Sequence, residues 1–226
     1  MPEFLPKFII SSHVSSFEKA VPKLVKSLIK SGVDKSNIIV VVGGADECKE
    51  KLSNGVKTHY VNHNSYDHTG LIFLLESDED HEWWWSMHDT TEVGPGFYQK
   101  IIKYGAKNEH VSVGEEGWLN MGLFSIKFLK RIRHYVLSLK NCSKLSAILS
   151  ERVYPRLTRS SSYSSAGDFI FLDHRNVYSD GVIRRVIYYE AIDLYKYQSF
   201  YLEKQQTLEY LKNQEIDRKF RLEKSM

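Results

Sequence analysis

Four places in the chain set small or polar side chains directly after an apolar run: Ser11-Ser12-His13, Gly43-Gly44-Ala45-Asp46, Asn62-His63-Asn64 and His88-Asp89-Thr90-Thr91. Hydroxyl, imidazole, amide and carboxylate groups, with glycines that let a ligand approach the backbone, are what a crevice for a polar ligand requires. Asp89 belongs to a stretch that holds Glu76, Asp78, Glu79, Asp80, Glu82, Asp89 and Glu92 and no Lys or Arg. From Lys127 to Arg159 the balance reverses, with nine Lys or Arg against Glu151 alone. An acidic run facing a basic half suits a metal that bridges the protein to an anionic ligand; the plainer reading is solvated surface. Asp89 itself is either a ligand of such a metal or the cap of its own turn.

Composition narrows the classes. At 226 residues, with 42% hydrophobic and 13% aromatic content, the chain has ample material for one core, which excludes whole-chain disorder. No stretch approaches the ~18 uncharged apolar residues of a membrane span, and MPEFLPKF carries no signal-peptide pattern, so a cytoplasmic protein is expected. Cys48 and Cys142 are too few and too far apart for a disulfide scaffold or a cysteine-only zinc site. GxGxxG after a strand, GxxxxGK[ST], HExxH and GxSxG are all absent, which takes away the main support of the standard dinucleotide, P-loop, zincin and hydrolase-elbow readings. A net charge of +3 without a recognised module argues against nucleic acid as a partner.

These residues need strands to carry them. Phe8-Ile9-Ile10 opens a strand, and Ile38–Val42, an unbroken β-branched run, predicts one buried on both faces. Ser15 with Glu18 reads as a capping box before a helix whose apolar positions are Val21, Leu24, Val25, Leu28 and Ile29, stopped by Gly32; Pro22 suggests a separate first turn or a start near Val21. A short polar helix over Asp46–Leu52, a strand at Thr58–Val61, a loop over Asn62–Tyr66, a helix over Asp67–Glu76 and a central strand at Glu82–Met87 follow. The alternation predicts a parallel sheet with helices on both faces and ligands at the C-terminal strand ends. The Trp83-Trp84-Trp85 run reads mainly as packing. Later come a strand at Val111–Val113, a loop with Glu115, Glu116 and Trp118, a helix over Ile126–Leu139, a serine-rich loop at Ser160–Ser165 and a strand at Phe169–Leu172. A mixed segment over Arg184–Tyr197 could close over the crevice, and a charged helical tail begins at Leu202.

The segment from Trp83 to Phe97, a hydrophobic strand running into an acidic turn and then Pro95-Gly96-Phe97 before a helix, resembles the region of GT-A fold glycosyltransferases where an Asp-x-Asp motif ends a central strand. The likeness extends to Ile9–His13, Val40–Asp46, Asn64–Gly70 and Asn120–Ser125, in that order. With Arg184-Arg185 and Leu194–Tyr197 it is similar to small glycosyltransferases of large DNA viruses and bacteria, for which the host cytoplasm would be the location. The resemblance implies an α/β, GT-A-like (Rossmann-like) mixed and mainly parallel sheet in a single domain. Residues 1–100 would form the nucleotide-binding half, 101–200 the acceptor half and 201–226 a helical tail. It implies a sugar moved from a nucleotide donor, a UDP-sugar in the first instance, to a glycan or glycoprotein acceptor.

Within that resemblance a divalent Mn2+ or Mg2+ would sit on Asp89, with His174 as a late second ligand, and stabilise the leaving diphosphate as a Lewis acid. Here the motif is His88-Asp89-Thr90, so only Asp89 keeps its acidic character; Thr91, Glu92 or a water would complete the shell. Nucleotide contacts are expected from Ser11, Ser12, His13, Gly44, Asn64 and Asp89, with Arg184 and Lys196 supplying positive charge to the phosphates. An inverting reaction needs a carboxylate base, for which Glu151 and Asp168 are the candidates and Glu116 stands behind them; a retaining one does not. Two other readings stay open. A sugar-nucleotide-forming nucleotidyltransferase would carry a glycine-rich basic signature that Ser11–Ser16 lacks, and the incomplete acidic motif suits a binding module without turnover.

Overall fold

An apolar run with no alternation is satisfied only where both faces are covered, and the two such runs of the first half lie side by side. The computed structural model describes residues 4–105, 109–113, 121–143, 146–147, 150, 169–171, 175–179 and 185–197. Strand β1 (Lys7–His13) pairs in parallel with β2 (Ile38–Gly43) on one side and with β5 (Trp83–His88) on the other. β2 continues in parallel to β4 (Val56–Tyr60), whose outer neighbour is the antiparallel β3 (Lys49–Ser53). Beyond β5 come the antiparallel β8 (Gly122–Ser125), then β7 (His110–Ser112) and β9 (Phe169–Phe171). The order is β3-β4-β2-β1-β5-β8-β7-β9, with only β3 and β8 reversed. A second, antiparallel sheet has the order β10 (Arg175–Ser179), β11 (Arg185–Tyr189), β12 (Leu194–Tyr197) and β6 (Thr91–Val93). The described chain is thus α/β, with a mixed, mainly parallel sheet flanked by helices.

Strand alternation sorts the core into two layers. Phe8, Ile10, Val40, Val42, Trp85 and Met87 face helices α1 (Phe17–Lys30) and α3 (Phe97–Gly105). Ile9, Ile39, Val41, Trp84 and Phe124 face α2 (Thr69–Glu76), α4 (Ile126–Arg131) and α5 (Arg133–Ser138). Trp84 and Trp85, both fully buried, therefore anchor opposite faces, and the indole N–H of Trp84 donates to the His81 carbonyl at 2.8 Å. Packing is what the tryptophan run does.

Several local expectations are corrected. The polar segment expected to be a helix over Asp46–Leu52 contains edge strand β3 instead, turned into β4 by Asn54 and Gly55 at φ 54° and 74°. Two successive left-handed residues are what a tight hairpin turn demands, and Asn-Gly is its strongest sequence signal. β4 accordingly spans Val56–Tyr60, two residues earlier than expected at its start. α1 begins at Phe17 with Ser16 as N-cap and runs through Pro22, and no capping box forms at Ser15. The helix expected over Ile126–Leu139 breaks at Ile132, although Leu129, Ile132, Val136 and Leu139 all remain buried. The 114–120 and 160–165 loops and the tail from residue 201 lie outside the described residues.

His110, at the start of β7, is fully buried between Phe124 and Phe128, whose rings stack on it at centroid distances of 4.5 and 5.0 Å. Burial disfavours the imidazolium and pulls its pKa from 6.5 down to about 3. The unfolded chain therefore takes up a proton at this residue below pH ~6.5 that the folded chain refuses. Its contribution is fully present above that pH and is lost as pH falls, at about 1.4 kcal/mol per pH unit. His110→Phe is expected to flatten the dependence of unfolding free energy on pH by that amount between roughly pH 6 and 4, measured by urea denaturation. Parallel curves for the two proteins would rule this out.

Candidate functional site

In an open parallel sheet the crevice forms at the C-terminal strand ends where the strand order changes direction. The chain builds outward from β1 through β2 to β4, then returns to the other side of β1 as β5, so the switch lies between β1 and β5. Ser11-Ser12-His13 and His88-Asp89 end those two strands. The Asp89 N–H donates to the Ser11 carbonyl at 3.1 Å, which extends the ladder one residue past β5.

Asp89 is only 8% exposed, and its Oδ2 accepts hydrogen bonds from the hydroxyls of Ser12 and Ser16, each at 2.7 Å. The Ser16 hydroxyl also lies 3.2 Å from the His13 carbonyl; its single proton goes to the nearer, charged oxygen. Ser16 is the N-cap of α1, yet its side chain makes no cap bond. The carboxylate instead lies beside the first turn, where the helix dipole favours negative charge. Thr91 donates its hydroxyl to the His88 carbonyl at 2.6 Å, which closes the turn and sends the chain into β6.

On the other face of the sheet the Ser11 hydroxyl donates to the Asp67 carbonyl at 3.0 Å and accepts the Gly70 N–H at 2.9 Å, fastening β1 to the start of α2. His88 Nε2 lies 3.5 Å from the Asp67 carboxylate. His13 Nδ1 accepts the Ser15 N–H at 3.2 Å and is 2.8 Å from the Ser15 hydroxyl. In the neutral ring the proton is therefore on Nε2. That nitrogen is where a side chain on Gly44 would project, since a Cβ there would come within 2.5 Å of it, and Gly44 has φ 76°. Glycine at 44 is needed on both counts.

Asn64 serves the local fold: its Oδ1 accepts the Tyr66 N–H, and its own N–H donates to Asn141 Oδ1. It sits at the end of β4, about three strand spacings or ~14 Å across the sheet from β5. The loop it begins is fixed from the second half of the chain. Asn141 N–H donates to the Ser65 hydroxyl at 3.1 Å, and buried His68 lies 3.1 Å from the Ser150 hydroxyl. Burial lowers the pKa of both His63 and His68.

Lys196 is brought to the site across the second sheet. It pairs with Thr91, two residues beyond Asp89, and only 8% of it is exposed. Directly opposed residues of an antiparallel pair share a face, so Lys196 and the buried Thr91 are neighbours. Ser11, Ser12, His13, Gly44 and Asp89 thus lie at neighbouring strand ends, with Lys196 opposite Thr91 on the adjoining small sheet, while Asn64 follows β4 farther along the same edge. Glu151, Asp168, His174 and Arg184, and Glu116 with them, lie outside the described residues. Most of the acidic run does not reach the crevice. Glu76, Asp78, Glu79 and Asp80 precede β5, at the opposite end from Asp89, with Glu79 near Lys7 and Lys57 and Glu76 paired to Lys140. Ser16 and Asp67 were not singled out from sequence. Nothing in the pattern Ser15-Ser16 says which hydroxyl reaches a residue 73 positions away.

Among the described residues no three His, Cys, Asp or Glu converge to hold a metal, and no helix is long and apolar enough to cross a membrane. A shallow depression lined by Ile29, Gly32, Val33, Asp34 and Lys35 lies at the far end of α1 from Asp89. No protein-family model and no curated protein matches this chain.

The hydroxyl–carboxylate contact is open to direct measurement. In a stability cycle of Ser16→Ala, Asp89→Ala and the double variant, the coupling is expected at about 1.5–3 kcal/mol, the range for hydrogen bonds to a charged group. Additive effects would mean that Ser16 does not hold the carboxylate.

Proposed function

We propose that the chain is a metal-dependent glycosyltransferase of GT-A type, which transfers a sugar from a nucleoside diphosphate donor to a glycan or glycoprotein acceptor. One observation carries the reading: a single carboxylate, Asp89, is oriented by two serine hydroxyls at the switch point of a mainly parallel sheet, with a buried lysine on the adjoining strand. The strand-end segments Ser11–His13, Gly43–Gly44 and His63–Asn64 follow strands that lie side by side, and a nucleotide would lie across them.

The donor set is compatible with Mg2+ or Mn2+. Magnesium is commonly held by one or two carboxylates, with substrate phosphates and waters supplying the rest of the shell, so Asp89 alone among the described residues suffices as a protein anchor. Ser12 and Ser16 act as outer-shell donors that fix the carboxylate's orientation. A bound cation would supply Lewis-acid stabilisation to the departing diphosphate. Lys196 adds a fixed positive charge on the phosphate side, and His13 offers its Nε2–H beside Gly44 to the nucleoside. Glu151 and Asp168 remain the candidate bases, His174 the candidate second ligand and Arg184 a candidate phosphate contact.

A binding module without turnover is the second reading, favoured by the lone acidic residue in His88-Asp89-Thr90. Calorimetric titration of UDP with and without Mn2+, on the wild type and on Asp89→Asn, tests the donor site. Binding is expected to weaken by about tenfold or more when either metal or the Asp89 charge is removed, a change of roughly 1.4 kcal/mol. If UDP, GDP, CMP and dTDP all fail to bind in the presence of metal, the glycosyltransferase reading falls. Binding without any turnover of the corresponding sugar nucleotide would favour the module.

A further inference from the structure

The loop that follows β4 holds a residue that the fold itself does not account for. Four residues other than glycine have positive φ among those described: Asn54, Tyr66, Asn141 and Asp193. Asn and Asp tolerate that conformation, because their short polar side chains bond the local backbone. A tyrosine there crowds its Cβ against the following carbonyl. Tyr66, at φ 50°, is also one of four exposed large hydrophobic residues, with 37% of its surface open. A single exposed aromatic is ordinary, and a single left-handed residue can be a plain turn. Tyr66 is the one residue that combines the two. It holds a strained backbone, and its ring joins neither core cluster.

The conformation is held from both sides. Asn64 Oδ1 accepts the Tyr66 N–H at 3.1 Å, and the Tyr66 carbonyl accepts the Thr69 hydroxyl at 2.8 Å. The loop leaves the end of β4 and passes β2, where the Gly44 N–H donates to the His63 carbonyl at 3.0 Å. It reaches β1 at Asp67, whose carbonyl accepts the Ser11 hydroxyl. The Asp67 carboxylate lies 3.5 Å from His88, beside the switch point, and Tyr66 stands one residue back toward β2. Outward from β5, the order along the strand ends is therefore Asp89, Asp67, Tyr66. We infer that Tyr66 stacks on the base of a nucleotide bound across these strand ends. The inference rests on the proposed donor site: with the diphosphate at Asp89, the ribose comes next and the base beyond it. An aromatic face takes any base by stacking. A ring whose backbone is already fixed loses little freedom when it does so. Backbone strain that no packing repays is then the cost of presenting the ring to the ligand.

The test pairs affinity with stability in the full chain, for the wild type, Tyr66→Asn and Tyr66→Phe. UDP and UDP-glucose are titrated calorimetrically in the presence of Mn2+, and thermal unfolding is followed without ligand. Tyr66→Asn removes the ring and suits the left-handed backbone. It is expected to bind UDP about tenfold or more weakly, within the range for one base on one aromatic ring. It is also expected to unfold at or above the wild-type temperature, which a ring that merely supports the fold would not allow. Tyr66→Phe keeps the face and is expected to bind UDP as the wild type does. Three results would overturn the inference: undiminished UDP binding by Tyr66→Asn, weaker binding together with a lower unfolding temperature, or weaker binding of UDP-glucose but not of UDP. Wild-type binding that needs Mn2+ and Asp89, yet is unmoved by Tyr66→Asn, would overturn it and leave the donor site standing. Failure of the wild type to bind any nucleotide with metal would remove both.

Discussion

A carboxylate that is 8% exposed must be satisfied by the protein around it, and the groups that satisfy Asp89 come from two elements at once. Ser12 belongs to the strand beside it, and Ser16 to the first residue before α1. For both hydroxyls to reach Oδ2, β1 and β5 must be adjacent and parallel, and α1 must start within three residues of the end of β1. The usual role of a serine at Ser16 is to cap its own helix, which is worth about 1 kcal/mol. A hydrogen bond to a charged oxygen is worth about 1.5–3 kcal/mol. The second term is larger, so the hydroxyl turns to the carboxylate and the helix begins without a side-chain cap. A local rule thus gives way to a distant contact because the distant contact is the stronger of the two.

That contact also separates what could be read in sequence from what could not. Two core strands were legible because Phe8-Ile9-Ile10 and Ile38–Val42 are apolar without alternation, which only a sheet covered on both faces accepts, and the third because Trp83-Trp84-Trp85 is aromatic throughout. The site's strand ends were legible because each run stops at a cluster of small polar residues. The β3–β4 hairpin was also written in the chain, as Asn54-Gly55, but the charged Lys49-Glu50-Lys51 looked helical because an exposed edge strand shows no apolar period. The partners of Asp89 were not legible, since choosing Ser16 over Ser15 depends on where α1 starts to within one residue. Nor was the second sheet. Pairing between Thr91 and Lys196 spans more than a hundred positions, and no local propensity encodes it.

The charge distribution was readable as a composition but not as a place. Glu76 to Glu92 is one acidic stretch in sequence, yet β5 runs through the middle of it and carries its ends to opposite edges of the sheet. Only Asp89 arrives at the crevice, while Glu76 and Glu79 pair with Lys140, Lys7 and Lys57. The strand that separates the charges is the same one that buries Trp84 and Trp85 on either face, so core packing decides which acids lie near the site.

The two walls of the crevice differ in how firmly their geometry is set. The β1–β5 wall is fixed by parallel pairing deep in the core. The position of Lys196 depends on register in the small sheet, where a slip of one residue would exchange its face of the strand for that of Tyr195 and Tyr197. Register there is pinned by Asp193. Its carbonyl accepts the Gly94 N–H at 2.8 Å, its Oδ2 accepts the Gly96 N–H at 3.0 Å, and its Oδ1 accepts the Tyr188 hydroxyl at 3.1 Å. One residue in a left-handed turn, at φ 56°, thus ties the β11–β12 connection to the start of α3. The Tyr197 N–H donates to the Thr90 carbonyl at 3.0 Å and locks the other end. Between these two ties, Lys196 has only one strand position it can occupy, opposite Thr91, two residues beyond Asp89.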